Sequence, residues 1–162
     1  MKNHLKKVSK GFTIAEFVVT IALMGTMMSV VLPSFDSITL NMQSSQNKTN
    51  MDMIRQVFFG YFYDMHMKGS AHLPPSPENE DGLMDDEWSS SEINTSISSR
   101  TPNDLFSSGV IPTNANGYPF SYETWTDTTF QGSDGMKVDY YIRISDLDED
   151  SPSFEISFTS AI

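Results

Sequence analysis

Three aspartates at alternate positions, Asp146, Asp148 and Asp150, carry the most direct chemical suggestion in this chain. Hard oxygen ligands this close together suit a cation such as calcium. Their spacing departs from an EF-hand loop, since Ser151 stands where the glycine belongs and Ser157 where the bidentate glutamate belongs. A solvated acidic turn is the plainer reading. His66 and His72, with Met65 and Met67 beside them, are the side chains a soft metal would choose, although methionines at helical spacing are first of all core residues. A second acidic group, Asp85, Asp86 and Glu87 beside Trp88, reads as a partner-facing loop. Paired carboxylates do acid–base work only in a cleft that raises one pKa. The chain has no cysteine, so disulfides, thiolate metal sites and thiol nucleophiles are excluded. It also has no glycine-rich phosphate loop, His-x-x-x-His pair or nucleophile elbow. No enzyme is expected.

Glu16 is an acid of another kind. It lies in SKGFTIAEFVVTIALMGTMMSVVLP, which is otherwise nearly all apolar. A charge in hydrocarbon costs about 3 kcal/mol even on lenient scales. Residues 17–35 are 19 positions without a formal charge, close to the ~20 that span a bilayer. Lys2, Lys6, Lys7 and Lys10 lie before Glu16, and no acid does. The positive-inside rule keeps that end in the cytoplasm and sends the rest across the membrane. Beyond residue 10 the chain holds six Lys/Arg against all 21 Asp/Glu. A body this acidic repels phosphate, so nucleic acid is not expected as a partner through bulk charge; a divalent cation or a basic patch suits it better.

The landmarks form a set: Gly11-Phe12 joins leader to apolar run, Glu16 is fifth counting from Phe12, and Gly25 and Pro33 follow. This arrangement resembles the N-terminus of the type IV pilin and pseudopilin family. The resemblance implies a prepilin with a basic leader over 1–11, cut between Gly11 and Phe12 by a prepilin peptidase that also N-methylates Phe12. It implies a transmembrane and assembly helix over 12–35, inserted in the bacterial inner membrane. It further implies polymerisation, with an inner-membrane assembly platform, into an extracellular pilus or a periplasmic pseudopilus. In that scheme Glu16 neutralises the amine of a neighbouring subunit, which sets register because a misplaced neighbour leaves unpaired charges in low dielectric. Gly25 and Pro33 mark the weakest part of the helix, and Thr26 and Ser29 are placed to satisfy backbone groups there. The lack of a cysteine pair favours a minor pilin, a type II secretion pseudopilin, or a major pilin closed by packing or metal instead of a disulfide. The rival reading is a non-polymerising bitopic membrane protein with an acidic periplasmic binding domain.

These residues need a scaffold. Met51, Ile54, Phe58, Tyr61 or Phe62, and Met65 recur at threes and fours, which predicts an amphipathic helix over 36–68 that Gly69 ends. Residues 69–116 read as a polar loop with one short helix near 102–108, with Thr101 as N-cap, Pro102 at N1 and Gly109 as stop. From 117 to 162 the period becomes two. Tyr118, Phe120 and Tyr122 alternate, as do Val138, Tyr140, Ile142 and Ile144, and then Phe154, Ile156 and Phe158. The expected fold is α+β, a long N-terminal helix packed on a C-terminal antiparallel sheet, as in pilins. Asn47 and Asn94 both fit N-x-Ser/Thr, a pattern too common to weigh.

Overall fold

The computed structural model describes residues 11–95, 98–130 and 135–162, with the side chains at 30, 32–34, 94, 95 and 98 outside that description. The leader lysines and most of the turn QGSDG therefore lie outside the described residues. The chain divides into two compact units, Met1–Thr39 and Leu40–Ile162. Helix α1, Ile14–Met67, contributes its first part to one unit and its second part to the other.

In the first unit the helix runs through Gly25, and its backbone is helical at 33 as well. The side chain of Pro33 lies outside the description. Thr26 and Ser29 donate to the carbonyls of Leu23 and Thr26, each at 2.9 Å, so both hydroxyls are satisfied three residues back. Among the described residues no helix is long and apolar enough to cross a membrane.

In the second unit the expected stripe is the core. Met51, Ile54, Phe58, Tyr61, Phe62 and Met65 are all buried. Phe58 sits at the centre, with its ring edge-on to Tyr122, Phe106 and Trp88 at 4.9, 6.1 and 6.3 Å between centroids. Such pairs add about 0.5–1.5 kcal/mol beyond the area they bury. Gly69 ends the helix at φ 85°, with its N–H and that of Ser70 returning to the carbonyls of His66 and Met65. A positive φ there is what a glycine supplies without steric cost.

The sheet has three antiparallel strands in sequence order: β3, Ser121–Phe130, β4, Met136–Ser145, and β5, Ser157–Ala161. Pairing of β3 with β4 runs from Ser121↔Ser145 to Phe130↔Met136, which puts every even-numbered residue on one face. Tyr122, Ile142 and Ile144 on that face close the core against α1, and Tyr140 is half-buried beside them. Val138 shares the face but stays exposed. Two boundaries differ from the sequence reading. Strand β3 begins at Ser121, with Phe120 already buried and Tyr118 exposed. Strand β5 begins at Ser157, because residues 149–155 are folded into turns and Glu155 takes a φ of 60°.

The loop between helix and sheet is more structured than its composition suggests. It contains α2, Asp86–Ser89, and a hairpin of β1, Ile93–Thr95, with β2, Ser98–Arg100. The helix expected over 102–108 is one 3-10 turn, Pro102–Leu105, capped reciprocally by Thr101 and Asp104.

Candidate functional site

Two polar constellations stand out, one at the start of each stretch of chemistry the sequence singles out. At the head of α1, the N–H and Oγ1 of Thr13 both donate to Glu16 Oε2 at 2.8 Å, and Glu16 N–H donates back to Thr13 Oγ1 at 3.2 Å. This is a capping box, in which threonine and glutamate three apart satisfy each other's orphan backbone donors. Both bonds to the carboxylate end on one oxygen. Among the described residues Oε1 has no hydrogen-bond partner. Phe12 and Gly11 are exposed just before this cap. Gly25 lies on open helix surface with nothing near its Cα substituent position.

The second constellation is buried. Asp146 follows directly on β4 and is fully buried. Its Oδ2 accepts from Ser151 Oγ and Ser153 Oγ at 2.6 Å each, and from Asn47 Nδ2 at 3.4 Å. Its Oδ1 accepts from Asn114 Nδ2 at 3.3 Å and from the N–H of Asp148 at 3.2 Å. Asn47, fully buried on α1, also donates to Ser151 Oγ at 3.0 Å and Ser153 Oγ at 2.7 Å. Its own Oδ1 accepts from the N–H of Ala115 at 2.7 Å, which fixes which end of the amide faces the serines. Asn114 holds its turn by accepting from the N–H groups of Asn116 and Tyr118. One helix, one turn and one loop thus meet on a single carboxylate. A buried charge persists where hydrogen bonds replace its water.

The aspartate triad does not converge. Asp148 accepts from Asn116 and Asn114, each at 2.8 Å, sharing the Asn114 amide with Asp146, and those bonds hold its carboxyl below the usual range. The exposed Asp150 gives only its N–H, to Asp148 Oδ1. Among the described residues no group of three or more His, Cys, Asp or Glu stands close enough to hold a metal ion. Ser151 and Ser153 instead occupy Asp146 Oδ2.

His66 and His72 do not meet either. His66 stacks on Phe62, with centroids 6.2 Å apart. His72 Nδ1 lies 2.6 Å from the Ser70 carbonyl, so it donates there, and Nε2 accepts from Tyr61 O–H at 2.8 Å. Burial pushes the Tyr61 hydroxyl upward in pKa. Asp85 is the cap of α2, accepting from the Trp88 N–H, and Trp88 is itself anchored by its indole N–H to the Pro75 carbonyl at 3.1 Å. Asn47 is also closed to glycan addition, being buried on all sides.

Of this second site, the sequence reading found Asp146 and missed Asn47, Asn114, Ser151 and Ser153. One signal was available. Asn47 precedes Met51, Ile54 and Phe58 at spacings of four, three and four, which places a polar residue in phase with the core stripe. Comparison with protein-family models, with curated proteins and with solved structures found no match.

Proposed function

We propose that this chain is a structural subunit of a type IV pilus-like filament, made as a prepilin and polymerised through its N-terminal helix. The observation that carries the reading is the surface of the first part of α1. From Phe12 to Ile38 its large apolar side chains with described exposure are between 47% and 85% exposed, and they point in every direction around the helix. A helix apolar on all sides requires lipid or protein around it. A subunit that first sits in a membrane and then in a filament core has both environments in succession.

The head of the helix fits the same history. The Thr13–Glu16 box keeps the carboxylate satisfied in a free subunit, while Oε1 remains available to a cation brought by a neighbour. Trimming between Gly11 and Phe12 would create such a cation at each new amino terminus. The hydroxyls of Thr20, Thr26 and Ser29 return to helix carbonyls, as polar groups in an apolar surrounding must. The cysteine-free body favours a minor pilin or a type II secretion pseudopilin over a disulfide-closed major pilin.

Mass analysis of the chain recovered from envelope and sheared surface fractions tests this. The expected species starts at Phe12 and carries one added methyl group. Glu16→Ala is expected to insert in the membrane normally and to reduce incorporation into filaments at least tenfold. Equal incorporation would count against the register role.

A further inference from the structure

The same buried knot holds the parts of an acyl-transfer site, and we propose that Asn47 and Ser153 become joined by an autocatalytic ester. The nucleophile is Ser153 Oγ, 2.7 Å from Asn47 Nδ2 and 2.6 Å from Asp146 Oδ2. Asp146 is the base, since a carboxylate in hydrogen-bond reach of a hydroxyl can take its proton. The electrophile is the Asn47 side-chain amide, whose Oδ1 receives the N–H of Ala115 at 2.7 Å. That donor is aimed where negative charge develops when the carbonyl is attacked. Asn47, Asp146 and Ser153 are all fully buried, so water competes poorly both for the carbonyl and for the finished ester.

The step balances without any co-reactant. A shift of Ser153 Oγ from the edge of the Asn47 amide to its face brings it over the carbonyl carbon while Oδ1 keeps the Ala115 N–H. The Ser153 proton passes to Asp146 as the Oγ–Cγ bond forms, and the oxyanion rests on the Ala115 N–H. Asp146 then hands the proton to Nδ2, the Cγ–Nδ2 bond breaks, and ammonia leaves. Asp146 ends as it began, a carboxylate. Ser151 Oγ is the second hydroxyl on the same oxygen, but it stands farther from Nδ2, at 3.0 Å, and serves to position Ser153, whose Oγ lies 3.0 Å away. The product would be a covalent link between helix and C-terminal loop in a chain that has no cysteine to make one. This inference stands without the filament reading, because none of its groups lies before Leu40.

The test is peptide mass mapping of the full-length chain as isolated. Trypsin cuts after Lys48 and after Arg143, so the peptide ending at Lys48 carries Asn47, and the peptide 144–162 carries Ser153. The two are expected to travel as one species, lighter than their sum by one ammonia, and hydroxylamine is expected to separate them. Ser153→Ala and Asp146→Asn are expected to abolish the link. Two separate, unmodified peptides from the wild-type chain would overturn the proposal, whatever the variants do. So would Asn47 converted to its free acid, or a link that survives Ser153→Ala.

Discussion

The first part of α1 and the body that begins at Leu40 solve opposite problems. Before residue 40, polar groups are satisfied within three or four residues, by the Thr13–Glu16 box and the threonine and serine hydroxyls, while apolar groups are left uncovered. In the core of the body both kinds find partners across long sequence separations, with the buried Arg55 Nε the exception among the described residues. Phe58 meets Tyr122 and Phe106, and Asn47 meets Ser153. On the filament proposal, the difference separates a segment that takes its environment from lipid or neighbouring subunits from one that makes its own. Substitutions should obey that division: those in the body cost folding stability, and those in the first segment cost assembly.

The largest stability loss is expected for Phe58→Ala, about 3–5 kcal/mol, because it empties the centre of the core. Chemical denaturation of the full chain in detergent measures it. Asn47→Ala should follow at about 2–3 kcal/mol, since it strands the Ala115 N–H and removes the amide donor shared by Ser151, Ser153 and Asp146 in a buried site. Leu23→Ala supplies the contrast: with Leu23 exposed on α1, its effect on body stability is expected within about 0.5 kcal/mol, and a larger loss would erase the division. Thr13→Ala is expected to leave the body untouched and to fray the head of α1, at about 1 kcal/mol of local helix stability. Amide hydrogen exchange over residues 14–18 reads that change. The smallest effect concerns acid. Asp148 has its folded pKa lowered by Asn116 and Asn114, so its contribution is present above the ordinary carboxylate value, about 3.9, and is lost as pH falls through the folded one. Denaturation midpoints should therefore begin to decline below about pH 4 on this account, and Asp148→Asn should flatten that decline. An unchanged slope would show that the bonds from Asn114 and Asn116 carry no net stability.

Much of the fold was readable because it depends on local periodicity. The stripe from Met51 to Met65, the stop at Gly69 and the alternation through Tyr122, Ile142 and Ile144 follow from spacing alone. The start of β5 was not, because Ser153 and Glu155 look like strand residues until Asp146 draws Ser153 inward. The polar knot was harder still. Its members are unremarkable Asn and Ser residues, and Asn47 lies about a hundred positions from the groups that satisfy it. The Thr13–Glu16 box is the reverse case. Its pattern, threonine followed three positions later by glutamate, is visible in the sequence and has a local meaning that coexists with any role in assembly.

The central claim is that this chain is trimmed so that an amine appears four residues before Glu16, ready for a neighbouring carboxylate. Determining the amino terminus of the protein recovered from its native envelope tests this most directly. The filament account requires N-methylated Phe12 as the first residue. A chain still beginning at Met1, with its four leader lysines in place, would contradict it.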